Sequence, residues 1–327
     1  MKRSFLIVVA FLSLFPVAGW AASQDKFDLP QPYRNWERQY LKASPDLQQL
    51  MDVMVETSTR QLKDPSQDIL HNRVCSALAH RMAMDMKLPA ADRKLAIATD
   101  LMHNISKEER PMVLTDARVL KQASEMVAQL RKAGHLTKSP AFWSDEAIFS
   151  NKAVGANLSL IHHLTGAITA GEMLNKIGGY PARDIARVQA AIVGHSTGYW
   201  YFRKSIDDAV KQHEAWRKVY PEPEETIAQI AHDADLISQF EAESVVPEGS
   251  KWRVLAAKRW GANGAVEEAH VVYYVFQRLF EEARTKPGKA LARAEWRKIQ
   301  PQLVKLMGLK PGTDPIKALG VPKTFQP

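Results

Sequence analysis

The sequence predicts an all-α bundle, and three observations carry that prediction. Apolar residues recur at spacings of three and four almost everywhere after Pro32. The two-residue alternation of half-buried strands is scarce, and Pro, Asp and Gly fall between the periodic stretches, where helices stop and start. At 327 residues and 46% hydrophobic, the chain can bury one large helical core and a smaller second one.

Taken in order, the periodicity predicts helices over residues 46–62, 66–86, 90–105 and 116–133, the last stopped by Gly134 as a left-handed cap. Helices over 152–177 and 182–194 follow, separated by a tight turn at Gly178-Gly179 before Pro181, and then helices over 199–219 and 224–244. After Pro247-Glu248-Gly249 a second group covers 251–260, 266–285 and 289–307, with Gly261-Ala262-Asn263-Gly264 as a turn needing a positive φ. Residues 22–36, rich in Pro and polar side chains, are expected to be a loosely packed lead-in. The expected organisation is a signal peptide over 1–21, a lead-in and first helix over 22–62, the bundle proper over 63–246, and a C-terminal helical extension over 247–327. That extension holds no candidate ligand except His270. Its six aromatic residues from Trp252 to Phe280 suit it to buttress the bundle or cover a site.

Lys2 and Arg3, the apolar run from Phe5 to Val17 and the small residues Gly19 and Ala21 have the pattern of a secretory signal, which predicts a periplasmic or secreted protein. The run is shorter than the ~20 residues of a bilayer span, so no transmembrane segment is expected after cleavage. An uncleaved anchor is the alternative. Cys75 is the only cysteine, so no intramolecular disulfide is possible and stability must come from the core. Net charge is +8, and loss of Lys2 and Arg3 leaves +6. That excess suits a small anionic, phosphate-containing ligand. No Lys/Arg run interleaved with aromatics marks a nucleic-acid surface, so nucleic acid is not an expected partner.

The chemistry is carried by histidines and carboxylates in four short contexts. Imidazole nitrogen and carboxylate oxygen suit divalent Mn, Fe, Zn or Co, and helical bundles build such sites from inward side chains on facing helices. The contexts are Ile69-Leu70-His71-Asn72-Arg73-Val74; Thr99-Asp100-Leu101-Met102-His103-Asn104-Ile105-Ser106-Lys107; His162-His163-Leu164-Thr165-Gly166-Ala167 together with Gly194-His195-Ser196-Thr197-Gly198; and Ala231-His232-Asp233-Ala234-Asp235-Leu236. His162 and His163 are ~100° apart on a helix, and Asp233 and Asp235 ~200°, so one of each pair can face a shared site.

Together these contexts resemble the HD superfamily of metal-dependent phosphohydrolases, across roughly residues 66–244. The first resembles the segment that opens HD domains with a histidine followed by an Arg-Val pair. The second resembles the central Leu-Leu-His-Asp-Ile-Gly-Lys signature, and the last the segment whose final aspartate closes the first metal's coordination. The third resembles the added histidines of two-metal branches, closest in pattern to bacterial HD hydrolases that cleave diadenosine tetraphosphate. The resemblance implies metal ligands His71, His103, Asn104 and Asp235, with His162 and His195 serving a second ion or a phosphate-binding wall. It also implies that Lys107 and Arg73 neutralise phosphate oxygens.

The chain departs from the family at Asn104, where the aspartate of the His-Asp pair should stand, and at Ser106, where glycine should. An amide oxygen carries no net charge, so metal affinity should fall. Asp100, one turn before Asn104, either offers a replacement carboxylate or orients an imidazole. Two functions follow as expectations: a phosphohydrolase holding one or two ions, or a degenerate bundle that binds a ligand or protein in the cell envelope.

Overall fold

The structure, a computed structural model, describes residues 29–41, 43–61, 65–106, 117–137, 162–196 and 222–325. The expected signal peptide, the helix over 199–219, the first part of the helix over 152–177, and Lys107 lie outside the described residues. Regular structure among the described residues is helical throughout: α1 (Gln31–Trp36), α2 (Pro45–Gln61), α3 (Pro65–Asp85), α4 (Ala90–Met102), α5 (Ala117–Lys132), α6 (His162–Ile177), α7 (Ala182–Gly194), α8 (Thr226–Ser238), α9 (Ala242–Val245), α10 (Lys251–Trp260), α11 (Ala265–Leu279), α12 (Lys286–Leu306) and α13 (Pro315–Leu319).

α3 is the central element. Every residue from Asn72 to His80 is buried, so no face of that stretch meets solvent. It packs against α1, α2, α4, α8 and α12. The α3–α4 hairpin closes through Lys87, which takes a left-handed φ of 56° while Leu88 N–H bonds back to the Ala83 carbonyl at 3.0 Å. Asn72 Nδ2 then donates across the hairpin to the Leu101 carbonyl (3.2 Å), which holds the start of α3 beside the end of α4. The α6–α7 hairpin turns as expected, on positive φ at Gly178 and Gly179, with Pro181 capping α7. Gly134 and Gly261 are also left-handed, each just past a helix end.

From Leu29 onward, the lead-in is more closely packed than its composition predicts. α1 runs on through a π-helical turn over Glu37–Leu41, Leu29 and Leu41 are buried, and Trp36 Nε1 donates to His80 Nδ1 at 3.0 Å. Arg73 of α3 grips Glu37 with two nitrogens, at 2.5 and 2.6 Å, so an ion pair between distant segments, which periodicity does not report, anchors the stretch. The helix expected over 224–244 ends at Ser238, and its C-terminal part is the separate turn α9. The C-terminal extension leans on α8 through one buried carboxylate. Asp233 accepts from the backbone N–H of Arg284 and Thr285 and from Thr285 Oγ1, each at 2.7 Å, and Thr285 in turn caps α12. No helix among the described residues is long and apolar enough to cross a membrane.

Candidate metal centre

His103 and His195 occupy equivalent local positions. Each follows the last residue of its helix, α4 or α7, and turns Nδ1 back onto the carbonyl three residues earlier: Asp100 at 2.8 Å and Ile192 at 2.6 Å. A carbonyl only accepts, so both Nδ1 atoms carry the hydrogen. The contact satisfies one of the carbonyls that a helix end leaves open and fixes the tautomer, with each Nε2 presenting its lone pair inward. His71, in the second turn of α3, is set by Ser238. The Ser238 hydroxyl donates to the Asp235 carbonyl (2.7 Å) and so accepts from His71 Nδ1 (3.1 Å).

Three helices thereby direct acceptors at one point. His71 Nε2 lies 3.1 Å from His103 Nε2 and 3.0 Å from Asp235 Oδ1, and His103 Nε2 lies 3.9 Å from the same oxygen. Lone pairs facing one another at these separations repel unless a positive centre lies between them, either a proton held on His71 or a cation. The spacing fits a metal. Two nitrogens each ~2.05 Å from a tetrahedral zinc stand about 3.4 Å apart. Cys75, one turn after His71, completes a group of four whose donor atoms all lie within 4.8 Å of one another: His71, Cys75, His103 and Asp235. This group could hold a metal ion.

Next to it lies a second imidazole pair. His162 Nε2 stands 3.2 Å from His195 Nε2, and the His195 ring meets the His103 ring edge-on, 4.9 Å between centroids. His71, His103, His195 and His162 therefore form one continuous strip. Of the two adjacent histidines on α6, His162 is the one that meets His195. Gly166 of α6 lies against the end of α4, where an added Cβ would come within 3.2 Å of the His103 carbonyl oxygen, a tight contact.

Asn104 is buried beside this group, and its amide donates to His103 Nε2 at 3.0 Å. Asp100 is fully buried, with no hydrogen-bond partner for either carboxylate oxygen among the described residues. Asp235 faces the cluster while Asp233 faces Thr285, as their ~200° separation requires.

Arg73 is not brought to the cluster. It sits two residues after His71, ~200° around the helix, and its guanidinium holds Glu37 instead of facing the imidazoles. Sequence reasoning also missed Cys75 and Ser238. The four-residue spacing from His71 could have flagged Cys75, whereas Ser238 approaches His71 only through the tertiary packing of α8.

Electrostatics follow from burial and from this crowding. Burial, then the neighbouring His195 and His71, push His103 well below the usual imidazole range, so it stays neutral and able to ligate. Burial alone would raise Asp235, but the His71 hydrogen bond and the surrounding imidazoles hold it well below the usual carboxylate range. Asp100 is pushed well above its usual value by burial and then by Asp235. Burial likewise raises the Cys75 thiol, with Asp100 and Asp235 adding to the effect.

In comparisons with known proteins, no protein-family model matches the chain, and neither a curated protein nor a solved structure gives a significant match.

Proposed function

We propose that the protein is an HD-type metal-dependent phosphohydrolase, acting outside the cytoplasm on a nucleotide or other phosphate ester. The observation that carries this reading is the convergence of His71, His103 and Asp235. They come from three separate helices, in the chain order of the HD contexts, with His71 Nε2 3.1 Å from His103 Nε2 and 3.0 Å from Asp235 Oδ1. His71, His103 and Asp235 would hold the first ion. His162 and His195, 3.2 Å apart on the same strip, would hold a second ion or line the phosphate pocket.

When bound, a divalent ion supplies Lewis acidity toward a phosphoryl oxygen and acidifies water. The chain's own groups do the rest. The Asp100 and Ile192 carbonyls orient His103 and His195, Ser238 orients His71, and Asp235 offsets the ion's positive charge. Lys107 is assigned to phosphate oxygens by its place after Ser106. Arg73, committed to Glu37, serves as an anchor of the N-terminal segment.

A second reading has its own observation. Asn104 occupies the His-Asp position and donates to His103 Nε2, the atom a metal would need, which favours a catalytically degenerate bundle acting as a ligand-binding or interaction module. Elemental analysis of the mature protein purified without a histidine tag separates the two. The hydrolase should carry near-stoichiometric Mn, Fe, Zn or Co and release phosphate from model phosphomonoesters or phosphodiesters in proportion to metal content. A metal-free protein inert toward these esters after metal addition would leave the degenerate reading.

A further inference from the structure

A buried divalent cation needs negative charge around it, and the His-Asn substitution removes one carboxylate from the pair that usually supplies it. Asp235 leaves one formal charge in the first set of donors. Two other acidic groups lie within the same buried region. Asp100 has both oxygens unpartnered among the described residues, but it falls outside the group of donor atoms that share a 4.8 Å neighbourhood. Cys75 falls inside that group.

We propose that Cys75 is a ligand of this metal centre, its thiolate supplying the charge that Asn104 withholds and biasing the site toward zinc over manganese. The inference rests on the metal-centre reading above and deepens it. His71 and Cys75 are one turn apart on α3, which puts both on one face. Cys75 Sγ lies 3.7 Å from His71 Nε2 and 3.8 Å from His71 Nδ1, so a turn of the side chain toward Nε2 would bring it to the about 3.5 Å of a sulfur and a nitrogen on one tetrahedral zinc. Its further polar contacts are the Ser238 side chain and a weak 3.7 Å approach to the Ala234 carbonyl. The side chain is fully buried, so reaction with solvent oxidants or a partner thiol is not open to it. The resulting set of two imidazoles, one carboxylate and one thiolate is tetrahedral in number and soft enough to select zinc or cobalt from a mixture that includes manganese. On binding, the S–H bond breaks as the metal–sulfur bond forms, and the proton passes to buffer.

Cobalt(II) is the probe, added to the metal-free mature chain. A thiolate ligand gives a sulfur-to-cobalt charge-transfer band in the near ultraviolet, and Cys75 is the only cysteine, so the band can have no other source in the chain. The expected result is that band at one equivalent of cobalt, its loss in Cys75→Ser, and at least a tenfold weaker zinc affinity in that variant with manganese affinity little changed. Should Cys75→Ser fail to fold, the wild-type spectrum decides alone. Cobalt bound without the band overturns the thiolate ligand and leaves a centre of imidazole and carboxylate. No cobalt binding at all overturns both the ligand and the metal-centre reading.

Discussion

Asn104→Asp should act in opposite directions on the metal-free and metal-loaded protein. Asn104 is 2% exposed and its amide donates to His103 Nε2 at 3.0 Å. An aspartate there removes that donor and leaves a buried acceptor facing the His103 Nε2 lone pair, at a cost of about 1–3 kcal/mol to the metal-free fold. With metal present the sign reverses. A carboxylate oxygen ~2 Å from a divalent ion gains on the order of 10 kcal/mol at an effective dielectric of ~20, and desolvation takes back most of it. The expected net effect is at least tenfold tighter binding, about 1.4 kcal/mol. Calorimetric titration of zinc or manganese into the metal-free protein measures affinity, and thermal unfolding with and without metal measures the two stabilities. The metal-free midpoint should fall and the metal-induced upshift should widen. Unchanged affinity together with unchanged metal-free stability would refute the argument, because it would place residue 104 outside the ligand set.

The remaining predictions concern what holds the centre in place. Asp100 keeps its proton in the fold well beyond its ordinary value of 3.8, so its contribution to stability is complete below that pH and is lost as pH rises through the raised folded value. The stability of metal-free Asp100→Asn relative to wild type should therefore be flat below about pH 4 and increase above it. Urea midpoints across pH measure this, and a difference independent of pH would count against a buried, protonated Asp100. Asp233→Ala strips three 2.7 Å hydrogen bonds from the α12 junction and should cost about 3–5 kcal/mol, whereas Asp233→Asn, which keeps an acceptor, should cost less; chemical denaturation gives both values. Gly166→Ala pushes a methyl within 3.2 Å of the His103 carbonyl oxygen, so it should cost about 1–3 kcal/mol and weaken metal binding, and calorimetry showing a neutral effect would mean that α6 does not position His103.

The helical class was legible in the sequence because a period near 3.6 is written locally, residue by residue. The breaks at Gly134, Gly178-Gly179 and Gly261 were legible for the same reason, since each needs a positive φ that glycine adopts without strain. Helical angles also separated Asp235 from Asp233 before any contact was known. His162 and His195 were implied by the resemblance to HD proteins, and the structure brings their Nε2 atoms within 3.2 Å of each other.

What the tertiary structure alone decided depends on groups far apart in the chain. The fate of Arg73 turned on Glu37, 36 residues away, and a single charged side chain on a helix carries no mark of its partner. Ser238 sets His71 from 167 residues away, and Cys75 becomes a candidate ligand only because α4 and α8 deliver His103 and Asp235 to its face of α3. A local sequence determines which face of its own helix a side chain takes. What stands opposite that face is chosen by packing, and packing here gathers His71, Cys75, His103 and Asp235 into a group that could hold a metal ion.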